Sequence, residues 1–159
     1  MAHLKIKSAD EMRRIVEQLK AENKTVALAN GCFDIIHGGH VSYLRGAAET
    51  GDTLIVALNS DVSVRGLKGE GRPILPEVER AEILAAFEMV DYVVLFDEPS
   101  VDALLEKLLP DVHAKGTDYT SDSVPERATN DRLGIRTAIV GAPKQNATRG
   151  IISRIQNEK

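Results

Sequence analysis

The chain predicts an α/β fold, a Rossmann-like three-layer sandwich with a central parallel sheet, on three observations. Short apolar runs recur along it, TLIVALN (Thr53–Asn59), YVVLF (Tyr92–Phe96) and RTAIVG (136–141), as suits strands buried on both faces. Helical patterns separate most of them, the arrangement that gives parallel strands with right-handed crossovers. A polar, glycine-rich turn follows the first strand directly, at the carboxyl end where such sheets bind ligands.

The chain has 159 residues, enough for one domain, 1–159, with a core of its own. A formal net charge of -4 gives no basic field for nucleic acid or an anionic membrane, and neither is expected as a partner. The single cysteine, Cys32, rules out an internal disulfide framework and suits a reducing compartment. The opening MAHLKIKSADEMRR has no apolar signal core, and no run of about 18 apolar residues occurs. A soluble, cytoplasmic protein is expected. There is no internal repeat, low-complexity tract or interdomain linker.

In chain order, Ser8 with Glu11 predicts a capping box, and Met12, Ile15, Val16 and Leu19 form the stripe of a packing helix. A strand over 25–29 ends at the turn Asn30-Gly31. His37-Gly38-Gly39-His40 then opens a helix that carries Val41, Leu44 and Ala48 and ends near Gly51. Pro76 suits a first helical turn with Glu77 and Glu79, before Ala81, Leu84 and Phe87. Ser100 is expected to cap a segment carrying Val101, Leu104, Leu105 and Leu108, stopped by Pro110. Strands over 111–115 and 136–141 lead to a last helix opening around 146–149.

The chemistry concentrates in residues 25–43, TVALANGCFDIIHGGHVSY. A helix start leaves N–H groups unpaired and partly positive, so it suits an anion such as phosphate. His37 and His40, three residues apart, share a face. Gly38 and Gly39 cost helix stability, which makes sense if a ligand must come close to the backbone. Spacing alone leaves open a phosphate cradle with two imidazoles, plain polar surface, or a zinc pair. A structural zinc site wants four ligands and none are near by, so no metal site is expected.

Asn59-Ser60-Asp61, at the carboxyl end of the second strand, is either a substrate contact or a turn and N-cap. The stretch from Arg65 to Pro73 interleaves glycines with cations. It is either a solvated loop or a lid that closes Lys68 and Arg72 over a triphosphate. No GxGxxG follows a strand and no GxxxxGK[ST] occurs, so a dinucleotide binder of the usual kind is not expected.

GCFDIIHGGH resembles the signature of the HxGH nucleotidyltransferases, the superfamily that includes cytidylyltransferases and pantetheine-phosphate adenylyltransferases. From Leu28 to Glu98 the chain is similar to the D-glycero-β-D-manno-heptose 1-phosphate adenylyltransferase domain of ADP-heptose synthases. The leading helix fits as well, so the resemblance covers the first three quarters of the chain. Ser121 to Gly134 is less familiar. The resemblance implies a fold of the HUP nucleotidyltransferase type and an attack by a sugar phosphate oxygen on the α-phosphorus of ATP, with pyrophosphate leaving from the opposite side. Such a reaction needs positioning and charge neutralisation more than covalent help.

The resemblance also assigns residues. His37, His40 and Lys68 are the catalytic set, and Gly31, Cys32, Phe33, Asp34 and Gly39 line the phosphate cradle. Arg72, Arg80 and Arg149 would neutralise pyrophosphate, although Arg80 could instead be a surface arginine paired with Glu77. Lys115-Gly116-Thr117-Asp118-Tyr119 resembles a K-G-x-D-Y segment where sugar phosphate and nucleotide meet. Lys115, Gly116 and Asp118, with Asn59 and Asp61, are therefore assigned to the substrate side. Of a serine/threonine-rich triplet that holds the phosphates in relatives only Thr148 remains, flanked by Ala147 and Arg149, and Thr148 is assigned to phosphate binding with them.

Mg2+ is expected to ride on the ATP, and Cys32 to be a packed turn residue. ATP and a sugar phosphate are the expected partners, with a homodimer suggested by relatives and the kinase half on a separate protein. The expected product, ADP-heptose, feeds lipopolysaccharide or related glycan assembly. Two alternatives stay open: a CTP-using enzyme acting on glycerol 3-phosphate or a similar small phosphate, and a nucleotide-binding module without catalysis.

Overall fold

The structure, a computed structural model, describes residues 1–143 and 147–158. A 3-10 turn (Ala2–Lys5) leads into β1 (Ile6–Lys7) and α1 (Ala9–Ala21), then β2 (Val26–Gly31), α2 (Gly38–Ala48), β3 (Thr53–Asn59) and α3 (Asp61–Lys68). The second half runs α4 (Glu77–Ala85), β4 (Tyr92–Phe96), α5 (Asp102–Leu108), β5 (Val112–Gly116), α6 (Arg127–Leu133), β6 (Arg136–Val140) and α7 (Thr148–Asn157). Asn146, expected near the start of the last helix, lies outside the described residues. No described helix is long and apolar enough to cross a membrane.

The sheet has the order β1-β4-β3-β2-β5-β6, and every pair in it is parallel. Strand order reverses beside β2, which has β3 on one side and β5 on the other, so a crevice opens at the carboxyl ends of β2 and β5. Alternation along the strands builds two cores. Ala27, Ala29, Leu54, Val56, Leu58, Val112 and Ala114 pack with Leu44 and Ala47 of α2 and Ala81 and Leu84 of α4. On the other face Val26, Leu28, Ile55 and Val94 meet Met12 and Val16 of α1 and Leu104, Leu105 and Leu108 of α5. These are the three layers that the apolar runs predict.

At the amino edge, an aspartate preceding each of three strands accepts a backbone N–H from within or just before the adjoining strand. Asp52 takes Thr25 (2.8 Å), Asp91 takes Leu54 (2.7 Å) and Asp111 takes Val26 (2.8 Å). α1 begins with the expected capping box, in which the Ser8 hydroxyl accepts from the N–H of Glu11 and the Glu11 carboxylate from that of Ser8.

Three elements go beyond the sequence expectation, and one cap differs. β1 is two residues long and pairs with β4, too short to show a period. α3 occupies the first half of the stretch expected to be loop: Ser60 caps it by accepting from the N–H of Ser63, and Val64 is buried. α6 lies in the unfamiliar stretch and buries Asn130. Ser100 does not cap α5: the N-cap is Val101, and the Ser100 hydroxyl donates to Asp102 at 2.5 Å instead.

α2 sits close to the end of β6. A Cβ on Gly46 would lie 2.9 Å from the Gly141 nitrogen and 3.0 Å from the Val140 Cβ. Gly46→Ala must therefore push α2 off the sheet, and overpacking of this kind costs about 1–3 kcal/mol. Alanine's better helix propensity returns at most about 1 kcal/mol. Denaturant unfolding is expected to show a net loss of stability.

Candidate active site

α2 starts in an unusual way. Its N-cap is His37, in extended backbone conformation, where serine, threonine, aspartate or asparagine is normally preferred. The N–H of Gly39 donates to His37 Nδ1 (3.1 Å), and the N–H of His37 donates to His40 Nδ1 (3.3 Å). Two imidazoles thus do what a serine and a glutamate do in an ordinary capping box. A ring nitrogen that accepts an N–H carries no proton in the neutral ring, so each imidazole holds its proton on Nε2. The ring centroids are 3.9 Å apart, and both rings line a cleft of about 550 Å³ at the carboxyl edge of the sheet.

The turn before α2 holds those rings in place. Phe33 adopts a φ of 45°, a left-handed conformation that a bulky residue takes only when its surroundings enforce it. Its buried ring stacks on Tyr43 (6.3 Å between centroids) and tilts against His40 (5.3 Å). A Cβ on Gly31 would come within 3.1 Å of that ring. Tyr43 donates to the carbonyl of Ala114 (2.7 Å) and accepts from the N–H of Asn30 (3.2 Å), tying α2 to β2 and β5. Burial pushes its phenol well above the ordinary range.

Most of the residues singled out in the sequence meet here. The cleft is lined by Gly31, Cys32, Phe33, Asp34, His37, Gly39 and His40 from the first turn, and by Lys68 and Arg72 from α3 and the segment after it. Lys115, Gly116 and Asp118 come from the end of β5, and Thr148 and Arg149 from the start of α7. Several already have protein partners. Asp34 is 2% exposed and accepts from Arg72 Nε (2.7 Å) and from the N–H groups of Ile74 and Leu75 (2.9 Å each). Burial opposes its ionisation, but these donors outweigh burial and hold the carboxyl below the usual carboxylate range. The far end of the expected lid is thereby pinned to the turn. The Thr148 hydroxyl donates to the carbonyl of Ile35 (3.2 Å). Cys32 keeps its proton, since burial pushes the thiol up against the pull of Lys68, Arg80 and Arg72. That suits a packed turn residue.

Asn59, Asp61 and Arg80 are not among the cleft-lining residues. Arg80 is fully buried, neither facing a phosphate site nor at the surface beside Glu77. Its guanidinium donates to the carbonyls of Leu75 (3.0 Å), Cys32 and Asn59 (2.7 Å each) and to the carboxylate of Asp61 (2.7 Å). It ties the end of β3 to the turn after β2. The Asn59 amide donates to the Ser63 hydroxyl (2.9 Å), so the turn-and-cap alternative for Asn59-Ser60-Asp61 describes the structure.

The sequence reading assigned no site role to Asn30 or Tyr43, which also line the cleft, nor to the polar groups beneath its floor. Lys115 lies 3.3 Å from Glu126 and 4.8 Å from the centre of the Tyr119 ring. His113 is fully buried. Burial, and then the charge of Lys115, push its pKa down to about 3, against the opposing charge of Asp102. Among the described residues no cluster of three or more His, Cys, Asp or Glu is placed to hold a metal ion.

Two stability effects follow. Arg80→Met leaves Asp61 and three carbonyls without their donor, and breaking a buried pair costs about 3–5 kcal/mol, to be read from denaturant unfolding. His113 gives a pH dependence. Unfolded, it takes up a proton below about pH 6.5; folded, only near pH 3. Between those values the unfolded chain binds more protons, so stability falls as pH falls, by about 1.4 kcal/mol per unit. Above about pH 6.5 the contribution is constant. In melts between pH 6.5 and 4, His113→Leu is expected to show a shallower acid slope than the parent.

Residues 28–153 match the cytidylyltransferase-like family model. The chain is 46% identical over 151 residues to the bifunctional protein HldE of Geobacter metallireducens, and 45% identical to that of Pelobacter propionicus. Each match covers 95% of this chain and 31% of the relative, so the chain spans about a third of the length of these curated relatives. The lipopolysaccharide core biosynthesis protein from Thermoplasma volcanium superposes with a TM-score of 0.64 at 28% identity, covering 77% of this chain and 99% of that one. The pantoate-beta-alanine ligase of Francisella tularensis, 14% identical, shares the fold with a TM-score of 0.65 over 90% of this chain and 68% of that one. With its paired histidines at the crevice and the match across most of its length, the chain belongs to the cytidylyltransferase-like family.

Proposed function

We propose that residues 1–159 act as one nucleotidyltransferase domain that joins ATP and D-glycero-β-D-manno-heptose 1-phosphate to form ADP-heptose and pyrophosphate. The observation that carries this is the start of α2, where backbone N–H groups orient both imidazoles at the wall of the cleft. Donors held in advance stabilise charge that develops at the α-phosphorus without reorganising during the reaction. The heptose phosphate oxygen attacks that phosphorus, and the bond to the β-phosphate oxygen breaks on the opposite side. His37 and His40 would bind the α- and β-phosphate oxygens. Lys68 and Arg149 would meet the departing pyrophosphate, and Arg72 would contribute from its place on Asp34. Lys115 and Asp118 would serve the acceptor. The ends of β5 and β2 lie side by side, which would let both substrates meet in one crevice.

Mg2+ would enter on the triphosphate oxygens and neutralise part of their charge. Nucleotides commonly bring this ion with them, so a dedicated protein cage is not needed. The relatives carry the printed name of a bifunctional protein, and this domain would supply one of their two activities.

The test is to incubate the protein with ATP or CTP and with the heptose phosphate or glycerol 3-phosphate, and to identify products by mass spectrometry. ADP-heptose with stoichiometric pyrophosphate is expected. CDP-glycerol with no ADP-sugar, or nucleotide binding without turnover, would overturn the proposal. His40→Ala is expected to lower kcat by about 10²–10³, the usual loss for one transition-state donor.

A further inference from the structure

Buried polar groups gather under the cleft floor on one face of the sheet. Val112 and Ala114 of β5 face the α2 side, as do Ala27 and Ala29 of β2, so His113, Lys115 and Asn30 point to the opposite face. The pairing of Ala29 with Ala114 sets Asn30 and Lys115 side by side one step further on, at the crevice. α6 meets β5 with two residues one turn apart. Glu126 lies 3.3 Å from Lys115, and Asn130 Nδ2 is 3.0 Å from both His113 Nδ1 and the Thr137 hydroxyl. Across the ring, His113 Nε2 is 2.8 Å from Asn30 Oδ1.

The protons follow from these contacts. Asn130 gives a proton to His113 Nδ1, so the ring donates from Nε2 and Asn30 Oδ1 accepts. The remaining NH2 of Asn30 is then turned away from the ring on a residue that lines the cleft. A leucine at 113 would fill the space without the penalty of burying an imidazole. The imidazole and the amide behind it are explained if the orientation of Asn30 matters.

We propose that His113 is a positioning residue: backed by Asn130, it fixes the Asn30 amide so that its NH2 donates to a phosphate oxygen bound beside Lys115. This rests on the reading that phosphorylated substrates enter the cleft, but it does not require turnover. Asn30 and Lys115 would form a neighbouring pair of donors for one anion, the amide giving direction and the ammonium charge.

Inorganic phosphate is the probe, titrated into the full-length 15N-labelled chain, with the Asn30 NH2 signals assigned by their loss in Asn30→Ala. In the parent these signals are expected to move with phosphate. His113→Leu should weaken phosphate binding about tenfold, and Asn30→Asp further still, because a carboxylate would face the anion. A double-mutant cycle supplies the readout that a purely structural histidine would not give. In an Asn30→Ala background, His113→Leu should add less than about twofold, since the group it positions is gone.

Three outcomes would overturn the proposal: Asn30 signals that stay still while backbone signals of Gly116 to Tyr119 shift, losses that multiply in the double variant, or no phosphate response in the cleft. If His113→Leu does not fold, Asn30→Ala and Asn30→Asp decide alone, and parent-like affinity in Asn30→Asp refutes the donor role. A chain that passes here but makes no pyrophosphate from ATP and the heptose phosphate would refute the reaction and leave this assignment intact.

Discussion

The crevice depends on an exchange between backbone and imidazole at the start of α2. Two N–H groups that any helix start would leave unpaired are given to His37 and His40. The helix gains its cap, and the rings lose the freedom to rotate or change tautomer. That single arrangement caps the helix and orients both rings at the wall of the cleft. The left-handed Phe33 and the Tyr43 hydroxyl exist around it, since each fixes the angle at which β2 delivers the chain into the helix.

Arg80 and Arg72 show how a charge can shape a site through the protein groups it holds. Arg80 uses its guanidinium on carbonyls and Asp61, so its role is to close the gap between β3 and the first turn. Arg72 reaches the cleft wall but is held by Asp34, which also collects two N–H groups from the segment leading to α4. Cations on neighbouring turns thus divide into those that build the walls and those, such as Lys68 and Arg149, exposed along them.

Much of the layered architecture was legible in the sequence because strands buried on both faces leave unbroken apolar runs. Thr53–Asn59 is buried at every position, and no other local structure explains such a run as simply. β1 has two residues and α6 seven, lengths at which periodicity carries no signal. The histidine turn was legible because its chemistry is local. Arg80 was not, since an arginine bound for the interior and one bound for a phosphate have the same neighbours in sequence. His113 and Asn130 were invisible for a related reason. Their partners lie 17 and 83 positions from His113, and the run DVHAK reads as a strand whatever its third residue does.

The aspartates at the amino edge of the sheet bear on how an anion meets this protein. The overall charge is negative, which taken as a sphere would repel a nucleotide. Asp52, Asp91 and Asp111 spend their carboxylates at one rim, while Lys68, Lys115 and Arg149 stand at the opposite one. Charge further away than a Debye length, about 8 Å, is screened, so the groups on that rim, rather than the sign of the whole chain, set what an anion meets there.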